Sequence, residues 1–367
     1  MSTLHQVHAR TRTSMSIGCL ALLALSPLAC SLDELDELDE LDEVSEVSEV
    51  DERAPLDATP ELSDADAFAE AAHIGDYSVD SLPLEATALP LEPGVYTLRQ
   101  QSNGRFLDAY QGSSDDFSVV TRPEQQNDTQ RWKFAPIGVV YTIQQVSTNR
   151  YMDAHEVSSQ DYSVVTRTEQ SNDTQRWVAL PVSGSLSTYT LQQLSIGRFL
   201  DAYQTQGADF SAVTREAQYN DTQRWITGYV SGGIYTLVQA SSGRFLDAHE
   251  SAGPDYSVVT RLEQNNNTQQ WRFNAVAAVY TITQVSSSRY MDAYQTEGED
   301  WSVVTRPEQK NDTQRWVLVH VSGDVFTMQQ LSTARFVDAY QTDTNDFSVV
   351  TREAQDNATQ RWIIDSP

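Results

Sequence analysis

The 367 residues include only two cysteines, Cys19 and Cys30, so no disulfide can form within the chain that follows them. Basic charge is scarce as well: 24 Lys and Arg stand against 52 Asp and Glu, a formal net charge of -28. That balance excludes the basic footprint of a nucleic-acid-binding chain. After the first thirty residues no apolar stretch is long enough to span a bilayer. Sustained helical periodicity is absent, and so is any single nucleophile, base or glycine-rich phosphate loop. The six histidines have no metal-ligand spacing, and only two of them hold equivalent places in the repeats described below. Neither metal nor cofactor nor catalytic residue is therefore expected, and the length suits two or three domains.

What charge there is lies unevenly. Residues 31 to 92 hold 21 acidic side chains and one basic one, Arg53, whereas the chain from Pro93 onward has 31 acidic against 21 basic. Residues 1 to 30 read as a signal peptide: Arg10 and Arg12, an apolar run from Ile17 to Leu25, then Pro27-Leu28-Ala29-Cys30. A cysteine ending such a run resembles a bacterial lipobox, in which the thiol is lipidated, although Pro27 departs from that pattern. Ordinary cleavage and secretion, or an uncleaved anchor, are the alternatives. Localisation is expected to be exported, either on the outer membrane or cell surface or free, with membrane contact only through a lipid at Cys30. Residues 31 to 91 begin SLDELDELDELDEVSEVSEVDE, whose paired carboxylates repel and whose apolar side chains are too few to offset ordering. They read as a disordered acidic linker kept extended by its own charge, with calcium capture the other possibility.

From Tyr96 the chain repeats every 45 to 48 residues, with equivalents at Tyr141, Tyr189, Tyr235, Tyr280 and Phe326. Each unit has four β-prone runs, in the first YTLRQ, RFLDAY, FSVVTR and TQRWKF, separated by Ser, Asn, Gly and Asp. The fold class is all-β. A period near 45 with four strands suits a six-bladed propeller or two β-trefoils of three units each. Units two and five share RYMDA and an apolar lead-in (KFAPIGVVYTI, RFNAVAAVYTI), units three and six share QQLS and TREAQ, and units one and four share a Gly-[VI]-Tyr-Thr-Leu opening. Each copy is most like the one three places on, which points to duplication of a finished three-unit domain. Two tandem trefoils are expected, residues 92 to 229 and 230 to 367.

Strand alternation puts Gln130, Trp132 and Phe134 on one face and Arg131 and Lys133 on the other. Trp132, Trp177, Trp225, Trp271, Trp316 and Trp362 are the expected core, and the preceding glutamine needs backbone partners. The N-D-T triplets match a glycosylation sequon and also an Asx turn, which suits a chain with a bacterial type of signal. In RFLDAY, Phe106, Asp108 and Tyr110 share a face. Asp108, Asp153, Asp201, Asp247, Asp292 and Asp338 recur in register, each followed two residues later by Tyr110, His155, Tyr203, His249, Tyr294 or Tyr340 and then by Gln or Glu, as at Gln111. A carboxylate, an amide and a ring are the groups that bind a sugar. Equally, each Asp can pair with the Arg of VVTR or NGR and fasten its hairpin. Both readings stand on the sequence.

The order Leu107-Asp108, Val119-Val120 and Gln130-x-Trp132, matched in register by all six units with Met or Val at the leucine place in three of them, resembles the ricin-B-type (Q-x-W) β-trefoil lectins over about three quarters of the chain. That resemblance implies a carbohydrate-binding, non-enzymatic protein. Galactose-binding members use the Asp, an aromatic platform just after the third strand and an Asn directly before the glutamine. Here the platform place holds Arg122 and its copies, and Thr129 precedes Gln130, so galactose specificity is not implied. Asn127, Asn172, Asn220, Asn266, Asn311 and Asn357 lie three residues before the glutamine and are the remaining candidates for a sugar contact. The family's half-cystines are missing, with Phe106 in one such place. Rings for a sugar are expected from Tyr110 and its equivalents or from Phe117, Tyr162, Phe210, Tyr256, Trp301 and Phe347. The sequence thus reads as a monomeric, multivalent binder of polysaccharide or cell-surface glycan. A protein-binding or structural trefoil is the alternative.

Overall fold

The computed structural model describes Leu82 and residues 90–367. The signal peptide, Cys30 and nearly all of the acidic segment lie outside the described residues. Among those described are 22 strands, many short 3-10 turns and no α-helix, and no helix is long and apolar enough to cross a membrane.

Each unit follows its sequence closely. In the first, Gly94–Gln100 leads through a tight turn into Phe106–Ala109, which pairs with Val119–Arg122 in the register Phe106↔Arg122 to Ala109↔Val119. The residue ahead of the arginine closing the tight turn has positive φ in every unit, with Gly104 at +73° and Ala334 at +56°. Glycine adopts that conformation freely; alanine does so at a cost. NDTQRW then forms a one-turn 3-10 segment, Asp128–Gln130, entering the strand that starts at Trp132.

All six Q-x-W tryptophans are buried, and each of their indole N–H groups donates to a hairpin carbonyl, as Trp132 does to Leu107 at 3.1 Å. Gln130 accepts from the Gln125 N–H and donates to the Pro123 carbonyl, at 2.8 and 2.9 Å. The same two bonds recur at Gln175, Gln223, Gln269, Gln314 and Gln360. The Q-x-W phrase is framework, as its alternation indicates.

The grouping of units departs from the expected consecutive threes. One core runs from Val139 through Trp177 and Trp225 to Phe273, and so unites units two, three and four. The other joins Leu98, Trp132 and Phe134 of unit one to Ala278–Ile364, that is to units five and six. Two trefoils are present, but units one and four have exchanged places. The boundary expected at 229/230 lies inside the first body.

The exchange is visible in the connections between units. Where a body continues from one unit to the next, the chain turns back on itself, as at Gly232-Gly233 and Gly323, all with positive φ. The lead-ins KFAPIGVVYTI and RFNAVAAVYTI hold no such turn, and there the chain runs straight as Trp132–Gln145 and Trp271–Gln284. These two strands carry the chain into the first body and back again. They pair antiparallel along their length, from Trp271↔Gln145 to Gln284↔Trp132. Beside them a small apolar core of Val140, Val178, Leu180, Leu194, Val279, Val317 and Leu331 joins the bodies. Units one and four share their opening and their strand pattern, so either can complete the other's threefold ring.

The linker expected over 31–91 also needs correction at its far end. Leu82 is 2% exposed within the first core, and Leu91 packs on the second, its N–H donating to the Tyr280 hydroxyl at 3.2 Å.

Candidate functional site

The six candidate aspartates are interior: their exposure is 0 to 3%. Phe106 and Tyr110, on the same face as Asp108, are half-buried, and Arg122 lies over the Tyr110 ring. Arg215, Arg261, Arg306 and Arg352 lie 3.7 to 4.0 Å from Asp201, Asp247, Asp292 and Asp338. Asp153 and Asp292 each accept from the Q-x-W glutamine at 3.1 Å. Asp201 accepts from the Thr222 hydroxyl and the Ala202 N–H, while burial pushes its carboxyl above the ordinary range. Both carboxylate oxygens of Asp108 and of Asp247 have no hydrogen-bond partner. The aspartates are therefore not open sugar contacts; they belong to the wall behind the surface.

The asparagines are turn fasteners. The Asn127 side-chain carbonyl accepts from the Thr129 hydroxyl at 2.7 Å while its amide donates to Gln125. The same pair of bonds is made at Asn172, Asn220, Asn266, Asn311 and Asn357.

The rings do reach the surface, at junctions between units. Tyr110, Tyr294 and Tyr340 donate to Asp346, Asp116 and Asp300 of the neighbouring unit at 2.7 to 2.8 Å. Those bonds, with burial second, raise the three phenol pKa values. In the other body Tyr203 donates to Asp161 at 2.8 Å, and His155 and His249 lie 3.8 and 3.9 Å from Asp255 and Asp209. The VVTR guanidinium covers each tyrosine ring, with Arg122 4.3 Å from the Tyr110 centroid and Arg352 4.6 Å from that of Tyr340. Gln111 stands exposed at the rim.

A second ring of contacts uses the third-strand aromatics. Arg105 stacks on Phe347, Arg335 on Trp301 and Arg289 on Phe117, at 3.6, 4.1 and 3.6 Å from the centroids. The first body repeats this with Arg150 on Tyr256, Arg244 on Phe210 and Arg198 on Tyr162. Each arginine is aimed by donating to a threonine carbonyl, as Arg105 does to Thr121 at 2.6 Å. Hence the NGR-type arginine serves the ring of a neighbour and not the Asp.

Sequence reasoning missed two sets of residues. The αL aspartates Asp116, Asp161, Asp209, Asp255, Asp300 and Asp346 each precede a third-strand ring and catch the neighbour's Tyr or His. The buried glutamines Gln100, Gln145, Gln193, Gln239, Gln284 and Gln330 cross between units, as Gln284 does in donating to the Ala109 and Thr129 carbonyls at 3.2 and 2.9 Å. Their signal was recurrence in register: every YTLRQ-type run ends in glutamine, four residues after the aromatic.

Hollows lie against these stacked pairs. One of about 330 Å³ is lined by Asp300, Trp301, Arg335, Tyr340 and Arg352. Another of about 380 Å³ is lined by Glu156, Tyr162, Arg198 and Glu216. A ring, a guanidinium and carboxylates around a shallow hollow can offer a stacking face with both donors and acceptors. Among the described residues no group of three His, Cys, Asp or Glu side chains converges as for a metal.

Fold and junctions together define a protein of the lectin-type β-trefoil class. The chain belongs to the ricin-type β-trefoil lectin domain-like family, whose profile matches residues 87–166, 128–219, 221–305 and 267–351. No curated protein matches the chain. Among solved structures, a designed threefold-symmetric protein, ThreeFoil, is similar at 23% identity and TM-score 0.33, over 36% of this chain and 96% of its own. The lectin of Polyporus squamosus, solved bound to the epitope Neu5Aca2-6Galb1-4GlcNAc, is 19% identical with TM-score 0.34, over 40% of this chain and 51% of its own. The Rhizoctonia solani agglutinin is 18% identical with TM-score 0.33, over 38% and 99%.

Proposed function

We propose that the protein is an exported, multivalent carbohydrate-binding protein that recognises a polysaccharide or cell-surface glycan and performs no catalysis. The observation carrying this reading is the junction hollow, with a ring, a guanidinium and carboxylates brought together by neighbouring units of a lectin-family fold. Several weak sites on one rigid scaffold give avidity to a repetitive ligand. In this reading the trefoil pair is a monomer tethered to a membrane through a lipid at Cys30, with the acidic segment between them.

The test is a glycan array with a polysaccharide pull-down, run on the wild type and on the Trp301→Ala/Tyr162→Ala double variant, with a thermal scan to verify folding. Loss of two aromatic anchors should weaken retention by roughly tenfold or more. No glycan retained by the wild type above the level of the double variant would overturn the reading. The burial of all six aspartates favours the second reading, a protein-binding or structural trefoil; it predicts a silent array.

A further inference from the structure

NDTQRW loops from the two bodies face each other across a cleft of about 400 Å³, a size in the range that holds a small ligand. Tyr219 and Asn220 come from unit three, and Lys310 and Asn311 from unit five. Neither trefoil forms this cleft alone, since it exists only where the exchanged bodies meet.

Tyr219 and Lys310 hold the same place in their units, the residue directly before the asparagine, where φ is positive in all six copies. Gln126, Ser171, Asn265 and Asp356 hold the other four places, and none of them lines the cleft. A bulky residue in the left-handed region is strained, a cost that surrounding structure must offset. The Tyr219 side chain recovers little from packing, because the residue is 87% exposed. A ring held in a costly conformation and left in water is poorly explained by folding and well explained by a ligand.

The charge is equally specific. In the same cleft Arg315 is paired with Asp312 at 2.7 Å, and Arg224 with Asp221 at 2.9 Å. Lys310 is exposed beside them and adds a positive charge in a chain of formal net charge -28. Duplication supplies an internal comparison: the corresponding residues of units six and two are Asp356 and Ser171, which offer neither ring nor cation.

We infer that this cleft binds an anionic polysaccharide, with a pyranose ring stacked on Tyr219 and its carboxylate or sulfate beside Lys310. Asn220 and Asn311 line the cleft from the two bodies, their side chains held in their own turns, so the ring and the ammonium carry the recognition. The site is separate from the junction hollows and takes a different class of glycan, so it stands or falls independently of them.

Binding of the full chain to polygalacturonate, dextran sulfate and neutral dextran would be measured by affinity electrophoresis at low and at moderate salt. Lys310→Gln should weaken retention on the anionic gels about threefold at low salt, a difference that shrinks as salt rises. Tyr219→Ala should weaken it about fivefold at both salt levels. Neither change should alter behaviour on neutral dextran. Both positions are exposed, so the fold tolerates the substitutions. Effects confined to polygalacturonate or to dextran sulfate support the site and identify the acid group. A wild type retained by neither anionic gel, or variants that match it on both, overturn the inference.

Discussion

Gly138 sits within the strand Trp132–Gln145, buried where that strand meets the neighbouring Arg176–Pro181. A Cβ built on it would stand 2.7 Å from the Ala179 carbonyl oxygen and 2.7 Å from a Leu180 methyl. The methyl can rotate away. The carbonyl cannot, because Val139↔Ala179 is a rung of the ladder between the two strands. Gly138→Ala therefore forces the strands apart, and overpacking of this kind costs about 1–3 kcal/mol. Restricting the unfolded chain recovers about 0.4–1 kcal/mol. The net expectation is destabilisation by about 1–2 kcal/mol, or roughly 2–6 °C in Tm for a folded region of this size. Urea denaturation and calorimetry would measure it, with Gly253→Ala as the control, since a Cβ there meets nothing within 4 Å. A Gly138→Ala protein as stable as the control would refute the close approach and, with it, the straight passage of the chain between bodies.

Two further predictions bear on the exchange and on the buried acids. Lys133 and Thr283 are direct partners across the two crossing strands; in a background with Cys19 and Cys30 changed to Ser, Lys133→Cys/Thr283→Cys should form an intramolecular disulfide, visible as faster migration on a non-reducing gel. Failure to form it, or bridges between chains alone, would contradict the exchanged grouping. Burial raises the Asp201 pKa, so the folded protein keeps this proton at a pH where the unfolded chain has lost it. Its contribution to stability is full below the ordinary Asp range and is lost as pH rises through the raised value. Asp201→Asn should accordingly lose less stability than the wild type between acidic and neutral pH, and parallel Tm-versus-pH profiles would count against that assignment.

Most of each unit is legible in its own letters. Alternation identifies the buried Gln130-Trp132-Phe134 face, and turn residues divide the runs. Of the two readings of Asn127, turn residue and candidate sugar contact, the side-chain bonds to Gln125 and Thr129, each two residues away, favour the turn. Asp108 does not read so easily. Its face is covered by a residue that alternation cannot see, an arginine on the next strand, and whether a strand has one or two covered faces is not a local property. The αL aspartates escaped notice for a related reason: Asp346 acts on Tyr110, more than two hundred residues away, and only ring closure brings them together.

The sequence by itself determined a six-unit β fold in two sets of three, with tryptophans inside and asparagines at turns, because those features depend on contacts within a unit of about 46 residues. Tertiary structure alone decided which three units share a core. Units one and four are similar enough to satisfy either ring, so the choice falls to two lead-ins, and whether KFAPIGVVYTI and RFNAVAAVYTI bend or run straight depends on pairing with each other across 139 residues. They run straight, and the cleft between Tyr219 and Lys310 follows from that.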